Sequence, residues 1–272
     1  VIIAREFASG TEMTISPGET LVVDFGQNCA GVPSFVFKAA EGTVLTCLPA
    51  ELLNDGNGAK IRGMDGPEGS CHRENLRIPH TGIRLDYTFA GGDNYVAYYP
   101  HCTFFGYRYV SITATGNVAI KSLKSIPVTS IAKELETGTI TTGNDLVNKL
   151  ISNTYWGQLS NYLSIPTDCP QRDERLGWTA DTRDMRDTQN SLGGFPGVAP
   201  LAQYGDEKMR LGWADAGIIV PWTVWKQFGD TQIIEESWNA MDLFMNHIND
   251  TKYNHETRCG ENGNYQWAEW LS

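Results

Sequence analysis

Four carboxylates, two arginines and a tryptophan fall within DCPQRDERLGWTAD, the stretch that spans residues 168–181. Hydrolysis of a glycosidic bond needs two carboxyl groups: one protonates the leaving oxygen, and the other attacks the sugar or activates water. Arginines beside such acids set their ionisation, and Trp178 could pack on the apolar face of a sugar ring. The same residues also suit a solvated loop in which acids and arginines pair. Composition alone leaves both interpretations open.

Two different sequence patterns flank this stretch. Up to about residue 128, short runs of β-branched and aromatic residues alternate with Gly, Asn and Asp, which predicts an antiparallel β-sandwich. From about residue 143, apolar residues recur every three or four positions, which predicts helices. We therefore expect a β-sandwich domain at 1–128, a linker at 129–142 and a helical domain at 143–272. The predicted strands are LVVDFG, PSFVFKA, TVLTCLPAELL, RLDYTFAGG, NYVAYYP and YRYVSITATG.

The helical pattern is clearest in two segments. In NDLVNKLISNTYWGQLSNYL, the predicted apolar face runs through Leu146, Leu150, Leu159 and Tyr162. Those that share one face of TQIIEESWNAMDLFMNHIND are Ile234, Trp238, Met241, Met245 and Ile248. Gly229 is expected to end the preceding helix, and Asp230 or Thr231 to cap the next. Core packing is the expectation for Trp225 and Trp238.

Composition limits the partners and cofactors. The net charge is -11, with 32 acids against 21 bases. Nucleic acid is therefore not an expected partner, because it requires clustered Lys and Arg. No apolar run reaches the roughly 18 residues of a membrane span, and VIIAREFASG lacks a signal-peptide pattern. The six cysteines form no CxxC pair, so neither a metal site nor a cofactor is predicted. Cys169 lies in the acid-rich stretch without a paired His, which predicts a packed thiol instead of a nucleophile.

Longer motifs around the acid-rich stretch identify a family resemblance. SIPTDCPQRDERLGWT, preceded by NTYWGQLSN and followed by GWADAGIIVPWTVWKQFGDTQIIEE, closely resembles the bacterial α-L-rhamnosidases of glycoside hydrolase family 78. In the first half, VVDFGQNCAGVPSF, LPAELLNDG, ENLR and FFGYRYVSI resemble the β-sandwich domain that precedes the catalytic domain in that family. The resemblance covers nearly the whole chain.

This resemblance implies a fold and an activity. The fold is an α+β multidomain arrangement, an antiparallel β-sandwich followed by an incomplete (α/α)6 barrel. The activity is removal of terminal α-L-rhamnose by an inverting mechanism, with a rhamnose-containing glycoside or polysaccharide as the partner. The resemblance points to a bacterial cytoplasm or periplasm without choosing between them, and it leaves the oligomeric state open.

Carried over by position, the resemblance also implies residue roles. Glu174 corresponds to the general acid. Asp168 and Asp181 match acids that hold rhamnose hydroxyls, Trp178 matches an aromatic wall, and Arg172 favours ionised Asp168. The remaining implied substrate-binding residues are Trp213 and Asp215 in the GWxDA segment, Trp222 in VPWT, and Trp270 near the end of the chain.

The sequence also departs from the family pattern. A helix that normally follows the GWTGD motif has no counterpart between Thr182 and Arg183, either because it is deleted or because its residues are not included in this sequence, and Ala180 replaces a Gly. NGNYQWAEWLS, where the chain stops, resembles a segment near the middle of the barrel, with Glu269 in place of Asp. The family's general base is a later glutamate with no counterpart here. We therefore expect the chain alone to be inactive.

Two alternative functions fit the same residues. A non-catalytic carbohydrate-binding or structural relative would keep the fold without hydrolysis. An (α/α)6 hydrolase for another sugar would keep the chemistry but change the substrate.

Overall fold

The computed structural model describes residues 11–55, 66–76, 82–172, 174–178, 188–199, 212–251, 253–254 and 259–260. The chain divides into two compact units. The first unit comprises Val1–Ser164 and Cys169–Glu174, and the second comprises Ile165–Asp168 and Arg175–Ser272. The predicted domain boundaries at 128 and 143 stay a prediction.

Strands make up most of the first unit. They are β1 (Met13–Ile15), β2 (Leu21–Ala39), β3 (Val44–Ala50), β4 (Leu52–Leu53), β5 (Cys71–His72), β6 (Leu85–Thr88), β7 (Val96–Tyr98), β8 (Phe105–Ala114), β9 (Val118–Pro127) and β10 (Tyr162–Leu163). One α-helix, α1 (Asp145–Asn161), and the 3-10 helices Glu74–Leu76 and Lys133–Leu135 complete the described elements of this unit.

Seven strands form one antiparallel sheet in the order β1-β9-β2-β8-β3-β6, and β7 also pairs with β2. Strand β2 is 19 residues long and serves two sets of neighbours. Its first part pairs with β8, from Leu21 opposite Ile112 onward. Its last part pairs with β9, ending with Ala39 opposite Val118. The register against β8 shifts between Asp24 and Cys29, where β2 carries extra residues.

The sheet folds back so that its two halves face each other. The ring of Phe37 on β2 lies 4.7 Å from that of Tyr87 on β6, although β8 and β3 separate these strands in the sheet. Tyr87 in turn lies 4.6 Å from Tyr98 on β7. The predicted β-sandwich is therefore a single antiparallel sheet that folds around one apolar core. Its fully buried members include Phe35, Phe37, Leu45, Tyr107, Val110, Ile112 and Ile120.

Helix α1 begins where its sequence predicts. The Oδ1 atom of Asn144 accepts hydrogen bonds from the backbone N–H groups of Leu146 and Val147 at 2.9 and 3.3 Å, which caps the first turn. The far end of the helix meets β2, because the N–H of Ala30 donates to Oγ of Ser160 at 3.0 Å. The apolar face predicted for this helix is exposed at Leu146, which is 82% accessible.

In the second unit, the described elements are β11 (Ile165–Pro166), α2 (Ala216–Phe228), α3 (Gln232–Thr251), β12 (Tyr253–Asn254) and β13 (Cys259–Gly260). The predicted end of α2 is confirmed, since Gly229 adopts φ 67° and its N–H donates to the carbonyl of Trp225. The Oδ1 atom of Asp230 accepts from the N–H of Gln232 at 2.9 Å at the start of α3. Both predicted helix boundaries therefore hold.

The buried face of helix α3 overlaps only partly with the predicted one: Ile234, Met241 and Ile248 are half-buried, whereas Trp238 and Met245 are exposed. Ser237 and Phe244 are 3% and 1% exposed, whereas Trp238 is 62% exposed. The reason is the position of Phe195, whose ring centroid lies 5.0 Å from that of Phe244. The expectation of core packing is thus wrong for Trp238. It is also wrong for Trp225, which is 42% exposed. Among the described residues, none of the helices combines the length and apolar character needed to cross a bilayer.

Candidate active site

The acid-rich stretch is shared between the two units. Residues 165–168 group with the second unit, Cys169–Glu174 with the first, and the chain from Arg175 onward with the second again. Asp168 is exposed and Cys169 is buried. Arg175 adopts a positive φ of 49°, a conformation that is uncommon for a residue other than glycine. We call Cys169–Glu174 the acid loop.

Two hydrogen bonds connect described residues of the acid loop. The N–H of Arg172 donates to the carbonyl of Cys169 at 3.3 Å. The thiol Sγ of Cys169 donates to Oε2 of Glu174 at 3.8 Å, a weak hydrogen bond typical of sulfur. The Glu174 side chain is half-buried. The sequence predicts Cys169 to be a packed thiol, and the structure buries it against the carboxylate of the predicted general acid.

Arg172 connects the acid loop to the sheet of the first unit. Its Nε donates to the backbone carbonyl of Asn75 at 3.3 Å, within the 3-10 helix Glu74–Leu76. Burial raises the pKa of the Glu51 carboxyl, while a hydrogen bond from Asn28 and the positive charge of Arg172 oppose that rise. Arg172 therefore lies near Glu51 as well as Asn75.

Sequence reasoning did not assign Glu51 or Asn75 to the site. A signal was nevertheless present, because Glu51 belongs to the LPAELLNDG segment and Asn75 to the ENLR segment. Both segments carry the family resemblance, which gives neither of them a role in catalysis. Neither is near residue 168 in the chain, so spacing along the sequence could not bring them to the acid loop.

Trp178 is fixed through its backbone in the second unit. It forms an isolated antiparallel bridge with Val198, and the N–H of Ala199 donates to the carbonyl of Gly177 at 2.8 Å. A Cβ on Gly177 would lie 2.2 Å from the carbonyl oxygen of Ala199, so only glycine allows this approach. The Trp178 side chain is half-buried. A rigid, partly open ring can serve as a wall for a bound ligand.

The start of α2 presents three further predicted residues. Trp213 and Asp215 precede the helix, and Trp222 lies two turns into it. Asp215 Oδ2 accepts from the N–H of Gly212 at 3.2 Å, and a carboxylate at a helix N-terminus is favoured by the helix dipole. Asp215 and Trp222 are seven positions apart and so share one side of the helix. Trp222 is 54% exposed, which leaves its ring accessible.

Two predicted substrate-binding residues, Asp181 and Trp270, lie outside the described residues. The same holds for Asp173, for Glu269 and for the Thr182–Arg183 junction. The roles assigned to the whole set of site residues stay predictions.

Comparison with protein families gives two matches. The sequence model of the bacterial alpha-L-rhamnosidase 6 hairpin glycosidase domain matches residues 135–183 and 182–272. A second sequence model, of the bacterial alpha-L-rhamnosidase concanavalin-like domain, matches residues 14–130. The six-hairpin match breaks at 182–183, the junction at which the sequence predicts a missing helix.

Individual relatives and solved structures agree with these matches. An alpha-L-rhamnosidase of Streptomyces avermitilis is 31% identical and covers 91% of this chain and 24% of its own length. The structure of an S. avermitilis alpha-L-rhamnosidase complexed with L-rhamnose superposes with a TM-score of 0.64 at 28% identity, covering 89% of this chain and 25% of its own. The structure of the native alfa-L-rhamnosidase from Aspergillus terreus gives a TM-score of 0.68 at 26% identity. The match covers 94% of this chain and 30% of that structure's chain. The chain thus spans about a quarter of the length of the relatives it matches.

Proposed function

Because this chain belongs to the bacterial α-L-rhamnosidase family, we propose that it forms part of a glycoside hydrolase that removes terminal α-L-rhamnose with inversion of configuration. The observation that carries the proposal is the continuous family match through the acid-rich stretch, with Glu174, Asp168 and Trp178 all present. The S. avermitilis relative was solved with L-rhamnose bound, which supports rhamnose as the sugar.

In this proposal Glu174 is the general acid. Its carboxyl group delivers a proton to the glycosidic oxygen as the bond to the leaving group breaks. A half-buried position suits this role, because it shields the proton from bulk water while leaving one side open to a ligand. The S–H group of Cys169 donates a weak hydrogen bond to Oε2 of this carboxyl group at 3.8 Å.

The remaining residues bind the sugar. Asp168, which is exposed, and Asp181 accept hydrogen bonds from rhamnose hydroxyls, and the ring of Trp178 packs on the apolar face of the sugar. The other members of the proposed substrate-binding set are Arg172, Trp213, Asp215, Trp222 and Trp270.

An inverting mechanism also needs a second carboxylate, roughly 6.5–9.5 Å from the acid, to activate water. The family resemblance assigns that base to none of the residues of this chain. We therefore propose that residues outside the chain supply it. The break in the six-hairpin match at 182–183 supports a further missing element inside the domain.

The test uses a protein that extends this chain to the length of its relatives, with the 272-residue chain alongside. Hydrolysis of p-nitrophenyl α-L-rhamnoside is followed by nitrophenolate release, and the first anomer formed is identified by proton NMR. We expect turnover with initial β-rhamnose from the extended protein, and none from the chain alone. Initial α-rhamnose would exclude inversion. Rhamnose binding without hydrolysis would favour a carbohydrate-binding relative, and cleavage of another glycoside instead would favour a different substrate.

A further inference from the structure

The acid loop rests on the sheet of its own unit through a contact that no side chain could occupy. Gly106 on β8 is buried, and a Cβ at this position would lie 2.6 Å from the backbone N of Gln171 and 2.7 Å from its Cα. Non-bonded contacts of a Cβ atom are essentially never that short, so glycine is required for the approach. Strand β8 therefore meets the acid loop backbone to backbone.

Two more interactions lie next to the contact between Gly106 and Gln171, and both involve Arg172. Arg172 Nε donates to the carbonyl of Asn75 at 3.3 Å, and the half-buried Glu51 lies at the junction of β3 and β4 within the field of Arg172. Asn28 on β2 orients Glu51, because its Nδ2 donates to Oε1 at 2.9 Å.

These contacts come from four separate parts of the sheet unit. Asn28, Glu51, Asn75 and Gly106 lie in VVDFGQNCAGVPSF, LPAELLNDG, ENLR and FFGYRYVSI, the four segments of the first half that no catalytic role explains. We refer to these four residues as the loop seat. Gly106 contacts Gln171, Asn75 and Glu51 interact with Arg172, and Asn28 orients Glu51, so all four segments bear on two neighbouring residues of the acid loop.

We propose that the loop seat positions Glu174 for proton transfer, with Gly106 acting through Gln171 and Glu51 acting through Arg172. The proposal rests on the assignment of Glu174 as general acid. The mechanical link is short, because Gln171 and Arg172 precede Glu174 by three and two residues. The Cys169–Glu174 contact and the Cys169–Arg172 turn close the loop, so a displacement at Gln171 moves the carboxyl as well.

The first test compares substrates that depend differently on the general acid. Alkyl rhamnosides have poor leaving groups that need a proton, whereas 2,4-dinitrophenyl rhamnoside departs with little help. A misplacement of about 1 Å can cost on the order of 100-fold, so Gly106→Ala in the extended protein should lower kcat on the alkyl substrate by about that factor. KM and the dinitrophenyl rate should change by less than about threefold.

Glu51→Gln is the second variant, since it keeps the size of the side chain and an oxygen that accepts from Asn28, but removes the charge facing Arg172. We expect the same leaving-group pattern with a smaller loss. Gly91→Ala is the matched control. Gly91 has φ +79°, and a Cβ there would lie 3.0 Å from the backbone N of Glu41, so this variant strains the same unit away from the acid loop. Equal losses on both substrates in Gly106→Ala, or the same pattern in Gly91→Ala, would overturn the proposal.

A readout without activity separates this proposal from the proposed function. Cys169 is 3% exposed, so its alkylation by N-ethylmaleimide, mapped by peptide mass spectrometry, reports whether the acid loop has left the sheet. We expect faster labelling of Cys169 in Gly106→Ala and no change in Gly91→Ala. If the extended protein hydrolyses no rhamnoside, the proposed function fails, yet the labelling still tests the loop seat. Unchanged labelling in Gly106→Ala would show that the loop does not depend on it.

Discussion

The thiol Sγ of Cys169 lies 3.8 Å from Oε2 of Glu174, so the proposed general acid is held by a weak donor from within its own loop. Replacing Glu174 by Gln keeps the shape and the hydrogen-bonding oxygen but removes the transferable proton. We expect Glu174→Gln in the extended protein to lower kcat on an aryl α-L-rhamnoside by about 100- to 10,000-fold with KM little changed. Steady-state kinetics on purified protein provides the measurement.

The neighbouring thiol offers the matched comparison. Cys169→Ala removes one weak hydrogen bond, worth about 1 kcal/mol, and should reduce kcat less than about tenfold. An unchanged kcat in Glu174→Gln would remove Glu174 from the acid role, whatever Cys169→Ala does.

Asp168→Asn and Trp178→Ala should weaken rhamnose binding as well as turnover, because both residues are proposed to hold the sugar. Loss of one hydrogen bond from a charged group, about 1.5–3 kcal/mol, corresponds to roughly 10- to 150-fold in the Kd of rhamnose. Isothermal titration calorimetry with L-rhamnose measures the Kd of each variant. Trp238→Ala is the control, since it removes the same type of side chain at a position that is 62% exposed and carries no proposed role. Retained affinity in both site variants would show that the sugar binds elsewhere.

We expect the charge of Glu51 to lower the stability of the protein while it supports turnover. Burial raises the pKa of this carboxyl in the folded state. The folded protein therefore holds its proton more tightly than the unfolded chain, and the associated stability is lost as the pH rises through the folded pKa. At pH 7 the charged Glu51 is thus destabilising. We expect Glu51→Gln to raise the free energy of unfolding at pH 7 while lowering turnover.

The pH dependence supplies the check on this prediction. Below the ordinary glutamate pKa of 4.5, Glu51 is protonated in both states, and the stability difference between wild type and Glu51→Gln should vanish. Urea unfolding at pH 4 and pH 7 measures both values. A less stable Glu51→Gln at pH 7 would mean that attraction to Arg172 outweighs the cost of burial.

We expect the contact between Phe195 and Phe244 to contribute most to the stability of the described part of the second unit. Both rings are 1% exposed. Phe244→Ala should lower the free energy of unfolding by about 3–5 kcal/mol, because it removes buried apolar surface and leaves a cavity. Trp238→Ala, on the exposed side of the same helix, should change it by less than about 0.5 kcal/mol. Chemical denaturation measures both values. Equal losses of unfolding free energy in the two variants would show that Phe244 does not lie on the buried face of α3.

Helix ends and most strands followed from local sequence, although β1 and β9 are not among the predicted runs, and LVVDFG and PSFVFKA form the single strand β2. Asn144 and Gly229 act on backbone groups only a few residues away, so their types suffice to place a helix boundary. The shift from β-rich runs to three- and four-residue spacing likewise predicted which half is sheet and which is helical. The acid-rich stretch and its family resemblance were sufficient to single out Glu174 as the candidate acid, because they depend only on residue types and their order in the chain.

The tertiary structure decided which helix face is buried and where the acid loop rests. Helix α3 carries apolar residues on two sides, and only the position of Phe195 selects Phe244 over Trp238 for burial. Gly106 and Gln171 are far apart in the chain, and nothing in the spacing of either segment predicts that their backbones touch. Such contacts depend on how the whole sheet folds back, and many weak interactions together determine that folding. The sequence by itself therefore determined the local elements and the residue types of the site, and the fold alone determined what supports them.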